Sequence, residues 1–248
     1  LDYPKDRLEI VIVNDGSTDG TLAVANQFTD NPQVTIFSKP NGGKYTALNL
    51  GVSKTATELI GCLDADSSVA PDALLESVKK FEERPDAMAV VPAMKVLSPR
   101  RPLELMQAVE YTFGIFYKKM FDNLAAISVL PGPFSIYRRE VFNIAGPFKH
   151  AHQTEDMEMA FRMHPYHLPI VNAHTAVVYT NVPPTLKKLL KQRTRWSRGF
   201  LENSKDYKYM YFNPAYGYFG MLVLPFSLTM FFGALYMVGY LGSRMLLS

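Results

Sequence analysis

Two carboxylates two residues apart, Asp64 and Asp66, follow the apolar run Leu59 to Leu63, and a second acidic pair, Glu155-Asp156, follows Thr154. A pair of the first kind can offer a hard oxygen ligand to Mg2+ or Mn2+ and leave coordination positions for diphosphate oxygens and water. A carboxylate of the second pair can act as a general base if the fold sets it against a substrate hydroxyl. Lys44 opens a helical stretch after the turn Pro40-Asn41-Gly42-Gly43, where a cation can meet an anionic ligand. Gln192-Arg193-Thr194-Arg195-Trp196 holds the only tryptophan, inside a cluster that also contains Lys187, Lys188, Lys191 and Arg198. Two guanidiniums and an indole can clamp an anionic, sugar-bearing substrate, and the same residues also suit a basic, aromatic membrane anchor.

Each motif alone has a plainer reading. Asn14-Asp15-Gly16-Ser17 is built of turn formers. Asp64-Ala65-Asp66 can be a solvated turn, and Thr154-Glu155-Asp156 can be an N-cap with acids in the first helical turn. Lys44 can be a surface lysine on a helix end. The run Ser38 to Tyr45 is no P-loop, because Ser38 replaces the first glycine and Tyr45 stands where a hydroxyl ligand for Mg2+ is required. The histidines His150, His152, His164, His167 and His174 form no recognisable metal pattern, and His150 and His152 are expected in a loop. The single Cys62 rules out an intramolecular disulfide and is expected to fill core.

The elements that must carry these residues alternate along the first 180 positions, as in a β/α sandwich. Strands are predicted at Leu8 to Val13, Val34 to Phe37, Leu59 to Leu63 and Ala87 to Val91. Helices are predicted at Thr18 to Phe28, Lys44 to Lys54, Pro71 to Phe81, Pro102 to Asn123, Thr154 to Met163 and Thr185 to Asn203. Ile127 to Tyr137 reads as irregular chain or short strand. Asp15, Asp64 and Asp66 thus fall at the carboxyl ends of strands, the edge at which open α/β sheets bind ligands. Met106, Val109, Phe113, Phe116 and Met120 share one face of the helix from Pro102, which suits a core or an interfacial position.

With 248 residues, 48% hydrophobic, the chain can bury one substantial core. A net charge of +3 is too small for a nucleic-acid-binding stripe. Tyr209 to Ser243 contains no Asp, Glu, Lys or Arg. As one helix it would be roughly 50 Å long, more than the ~30 Å of a hydrocarbon core. Breaks at Pro214 and Pro225 are therefore expected, giving an interfacial piece up to about Leu224 and a spanning helix from about Phe226 to Leu241. The upstream basic cluster places the soluble part on the cytoplasmic side.

Taken in order, Asn14-Asp15-Gly16-Ser17, Gly43-Lys44, Asp64-Ala65-Asp66, Thr154-Glu155-Asp156 and Gln192 to Trp196 resemble the motif series of processive family 2 glycosyltransferases, the membrane synthases of cellulose, chitin, hyaluronan and poly-N-acetylglucosamine. The resemblance implies a GT-A-like, Rossmann-like α/β fold over residues 1–203, a mixed sheet sandwiched by helices, then an interfacial helix and a transmembrane segment in 204–248. It implies that Asp15 binds a uracil ring, that Lys44 lies near the uridine diphosphate and that Asp64 contacts the nucleotide-sugar. Asp66 would ligate Mg2+ or Mn2+, and Asp156, beside Glu155, would deprotonate the acceptor. Gln192, Arg195 and Trp196 would clamp diphosphate and acceptor sugar, with Arg193 and Thr194 replaceable.

Gly132-Pro133-Phe134 falls at an acceptor-contacting loop, without the cysteine of cellulose synthases. An earlier strand and helix of the family have no counterpart here, so the chain reads as part of a longer synthase. Implied partners are a UDP-sugar, first of all UDP-N-acetylglucosamine, a growing glycan, membrane lipid and accessory subunits, at the plasma or inner membrane. A transferase that moves a single sugar would differ in product length. A catalytically dead nucleotide-sugar-binding protein would differ in showing no turnover.

Overall fold

The computed structural model describes residues 1–151 and 154–247. His152 lies outside the described residues. The chain opens with β1 (Ile10–Asp15), α1 (Thr21–Asn26), β2 (Val34–Lys39), α2 (Lys44–Lys54), β3 (Leu59–Cys62), β4 (Ser67–Val69), α3 (Ala73–Glu83) and β5 (Ala89–Val96). It continues with α4 (Pro102–Asn123), β6 (Ser135–Arg138), α5 (Arg139–Ile144), α6 (Glu155–Met163), β7 (Ile170–Thr180), α7 (Leu186–Asp206) and α8 (Leu224–Leu247).

A five-stranded mixed sheet runs β3-β6-β5-β7-β4, and β1 and β2 form a separate parallel ladder. The expected mixed sheet is therefore split. Among the described residues β1 pairs only with β2, and β3 only with β6, so each keeps one open edge there. Helix α2 spans the split: it packs on β1, while its Tyr45, Leu48 and Val52 lean on the core around Cys62, Tyr137 and Met159. Cys62 is buried there as a free thiol.

Local chemistry explains the helix ends. Pro102 starts α4 at the position where a missing N–H costs nothing, and Glu104 accepts the backbone N–H groups of Arg100 and Arg101 at 2.9 and 3.0 Å. The Thr185 hydroxyl accepts the N–H of Lys188 and caps α7. The outward face of α4 is apolar: Met106, Val109, Phe113, Phe116 and Met120 are 38 to 64% exposed. The stripe therefore does not fill the core.

Between α7 and α8 the chain is not one interfacial helix. It makes 3-10 turns at Lys208–Met210 and Pro214–Tyr216, then a π turn at Phe219–Val223. Phe219, Val223 and Leu224 are buried against Ala126, Phe161 and Met210. Pro214 breaks the helical path as expected. Pro225 does not: the π turn at Phe219–Val223 runs straight into α8, and the helical path continues through Pro225. Among the described residues one stretch, Phe219–Met237, is long and apolar enough to cross a membrane.

Candidate active site

At the end of β3 the chain turns through Asp64 and Asp66 into β4, and α2 begins nearby with Lys44 after Gly43, whose φ of +90° suits a glycine. Lys44 Nζ lies 2.6 Å from Asp64 Oδ1 and 3.1 Å from Glu155 Oε1. Three residues separated by up to 111 positions thus meet at one ammonium (155 minus 44). Burial works to neutralise that ammonium, but the charges of Asp64 and Glu155 outweigh it and raise its pKa. A Cβ on Gly132 would sit 2.8 Å from both Asp64 Oδ2 and Lys44 Nζ, so the loop Gly132-Pro133-Phe134 covers the pair only because it is glycine there.

Asp156 differs from its neighbour. Glu155 is committed to Lys44, whereas the Asp156 carboxylate accepts only the N–H of Met157, at 2.8 Å, among the described residues. Burial, reinforced by the charge of Glu155, pushes its pKa up to about 6. A carboxylate so placed has the basicity to take a proton near neutral pH.

Asp15 ends β1 on the other ladder. Its Oδ1 is 2.5 Å from Lys39 Nζ and accepts the N–H of Gly42 at 3.0 Å. Burial opposes ionisation, but Lys39 and Gly42 prevail and lower the pKa. The carboxylate therefore shapes the turn that delivers Lys44. Sequence reasoning passed over Lys39, whose ammonium also reaches Thr46 Oγ1 at 2.8 Å.

Asp66 is exposed, held by Ser67 Oγ on its Oδ1 at 3.3 Å and by Asn181 Nδ2 on its carbonyl at 3.1 Å. Among the described residues no group of three His, Cys, Asp or Glu gathers to hold a metal. A single exposed carboxylate still fits Mg2+ or Mn2+, which keep waters and take substrate phosphates as further ligands.

The motif Gln192 to Trp196 occupies the middle of α7. Arg193 Nη2 lies 2.7 Å from Glu110 Oε2 on α4, and its guanidinium stands 4.5 Å from the centroid of the half-buried Trp196 ring. The expectation that Arg193 is replaceable meets a structure in which it positions Trp196 by stacking. Arg195 is exposed, and Gln192 Oε1 is buried without a hydrogen-bond partner among the described residues. Burial raises the pKa of Tyr111 on α4, with the charge of Arg193 opposing and those of Glu110 and Asp66 adding to the rise.

Helix α7 is keyed to α6. Asn203 Nδ2 donates to Thr154 Oγ1 at 3.1 Å, and the Tyr207 hydroxyl donates to Glu158 Oε1 at 2.6 Å. Glu158 also pairs with Arg162 at 2.9 Å, both buried. These contacts were not legible in the sequence, although Gly199 in the middle of a basic helix was a usable signal of close approach.

The fold thus gathers acids at its strand ends, a buried carboxylate of raised pKa and a helix carrying Arg193, Arg195 and Trp196. Residues 1–144 match the family described as Glycosyl transferase family 2. The chain belongs to that family. Over 201 residues it is 31% identical to the poly-beta-1,6-N-acetyl-D-glucosamine synthase of Staphylococcus epidermidis, covering 80% of this chain and 48% of that one. The synthase of the same description from Staphylococcus aureus strain COL is 30% identical over 196 residues, 78% of this chain and 48% of that one. The chain thus spans about half the length of the curated relatives it matches.

Among solved structures, a mannosyltransferase from Pyrobaculum calidifontis in complex with GDP-Man and Mn2+ superposes with a TM-score of 0.67 at 22% identity, covering 96% of this chain and 68% of that one. Residues 1–349 of S. aureus TarS in complex with UDP-GlcNAc give 0.54 at 17%, covering 81% and 59%. These likenesses establish the GT-A-like fold.

Proposed function

We propose that the chain is the catalytic part of a membrane-associated inverting glycosyltransferase that extends a β-linked polysaccharide from UDP-N-acetylglucosamine. The observation that carries this reading is the meeting of Lys44, Asp64 and Glu155 beside Asp156, whose carboxylate has no side-chain partner among the described residues, under a helix that bears the clamp motif. The relatives' description as poly-beta-1,6-N-acetyl-D-glucosamine synthases supports the choice of donor.

In this reading Asp156 accepts the proton of the acceptor hydroxyl as its oxygen bonds to the anomeric carbon. The bond from that carbon to the diphosphate oxygen breaks on the opposite face, and UDP leaves. Inversion in one displacement needs no second catalytic carboxylate, which frees Glu155 to hold Lys44. Lys44 and Arg195 meet the charge that develops on the leaving group, and charge stabilisation of this kind is worth several kcal/mol. A divalent cation held at Asp66 would neutralise diphosphate charge. Asp64 and Asp15 serve the nucleotide-sugar, Asp15 through the turn that it shapes. Gln192 and Trp196 hold the acceptor sugar.

Residues 1–203 form the catalytic unit and 204–248 the membrane attachment. The apolar outer stripe of α4, the exposed Leu186 and Leu190 of α7 and the stretch Phe219–Met237 support attachment to lipid, with the catalytic unit on the cytoplasmic side of the plasma or inner membrane. The open edges of β1 and β3, both under α2, favour one more strand between them from a preceding segment. Accessory subunits of a synthase would complete the assembly.

The test is a panel of labelled UDP-sugars offered to the enzyme in membranes, with and without Mg2+ or Mn2+. UDP-N-acetylglucosamine should be turned over well above UDP-glucose. Equal use of other donors would overturn the donor assignment, and binding without turnover would overturn the enzymatic one.

A further inference from the structure

Arg193 stands between two side chains carried by different helices. Its Nη2 donates to Glu110 Oε2 at 2.7 Å, across the gap from α7 to α4, and its guanidinium lies over the Trp196 ring, 4.5 Å from the centroid. Positions 193 and 196 are neighbours on one face of α7, so the stacking is made within that helix while the ion pair reaches another. The far end of the ion pair is fixed. Gln107, fully buried and one turn before Glu110 on α4, donates through Nε2 to the carbonyl of Pro183 at 3.0 Å, just ahead of α7. Helix α4 is thereby pinned to the chain that enters α7, and it presents Glu110 to the middle of that helix. A planar guanidinium suits both contacts at once, with its edge on the carboxylate and its face on the indole. An ammonium has no such plane to share between them.

We infer that Glu110 is a positioning residue for the acceptor, a fixed anion on α4 that holds the Trp196 ring in one orientation through Arg193. The inference rests on the reading of Trp196 as the surface on which the acceptor sugar stacks. An arginine three residues ahead of a tryptophan has many rotamers and covers the ring in only some of them. The Glu110 carboxylate selects one that stacks. With Arg193 over one face of the indole, the sugar has the opposite face to stack on, and any turn of the ring gives up the contact with the guanidinium. The pair also divides the charge of the motif: Glu110 offsets Arg193, while the diphosphate is assigned to Arg195. At 53 and 29% exposure, the side chains of Glu110 and Arg193 remain open to screening by salt.

Trp196 is the only tryptophan of the chain, so its fluorescence reads the ring directly. Quenching by acrylamide would be followed in lipid for wild type, Glu110→Gln, Arg193→Met and the double variant, at about 0.1 and about 1 M salt. Each single variant should raise quenching about twofold at the lower salt. The double variant should go no further than the worse single one, because both remove the same arrangement. Salt should loosen the wild-type ring and leave Glu110→Gln unmoved, a response that packing alone does not give. Titration with a β-linked N-acetylglucosamine oligosaccharide should show affinity about fivefold weaker in Glu110→Gln, with KM for the UDP-sugar within about twofold. Equal quenching, or equal affinity for the oligosaccharide, in wild type and Glu110→Gln would overturn the inference. Should Arg193→Met fail to accumulate, the salt response of wild type against that of Glu110→Gln decides alone. An oligosaccharide that leaves the wild-type fluorescence unmoved would instead overturn the reading of Trp196 as the acceptor surface.

Discussion

Gly199 on α7 abuts Thr154, the N-cap of α6, so closely that a Cβ at position 199 would lie 2.3 Å from Thr154 Cγ2 and 2.4 Å from its Oγ1. Thr154 immediately precedes Glu155 and Asp156, and Gly199 follows Trp196 by three residues. The helix that bears Gln192 to Trp196 and the helix that bears Asp156 therefore touch with no room for a methyl group between them.

Gly199→Ala forces the two helices apart. Overpacking of this kind costs about 1–3 kcal/mol of stability. The expected outcome is a fall in transfer rate of more than about tenfold with UDP binding retained, since misplacement of about 1 Å can cost that much. Parallel measurement of turnover and of UDP affinity checks it. Equal activity of wild type and variant would show that the close approach is not needed.

Asp156→Asn should abolish transfer and leave UDP binding intact. The wild-type rate should rise as pH passes about 6, where Asp156 loses its proton. The same residue makes a separate prediction for stability. Its folded-state pKa lies above that of an ordinary aspartate, so its contribution to stability is fully present below about pH 4 and is lost as pH rises through about 6. Asp156→Asn should accordingly unfold at a higher temperature than wild type at pH 8, and the difference should vanish near pH 4.

Lys44 joins Asp64 to Glu155, and the group is partly exposed. Lys44→Met and Glu155→Gln should each weaken donor binding. The double variant should lose less than the sum, with a coupling of about 0.5–3 kcal/mol, because both remove the same ion pair. Additive losses in a titration of UDP would contradict the shared role.

How much of this was legible in the chain differs from residue to residue. Lys44–Lys54 and Pro102–Asn123 were fixed at both ends by glycine, proline and apolar period, and the structure keeps those bounds. β7 was missed, although it pairs with both β5 and β4. Asn172, His174 and Thr175 break its alternation, and a bulge between Pro92 and Ala93 on its partner absorbs the irregularity. Motif order located Asp64, Glu155 and Asp156, but not that Lys44 bridges the first two. Long-range contact between elements leaves no local pattern in a single sequence.

Asp66→Asn should weaken the binding of Mn2+ in the presence of UDP, followed by the paramagnetic signal of the metal. Chelation should reduce donor binding by the wild type and have little further effect on the variant. A metal affinity unchanged by the substitution would remove Asp66 from that role.

The central claim is base-assisted extension of a β-linked polymer, and product length tests it most directly. Purified enzyme in lipid would be given labelled UDP-N-acetylglucosamine with Mg2+ or Mn2+, and the product sized. Wild type should yield a high-mass β-linked polymer, and Asp156→Asn should yield none while still binding UDP. A product lengthened by one sugar, or polymer at wild-type yield from Asp156→Asn, would contradict the account.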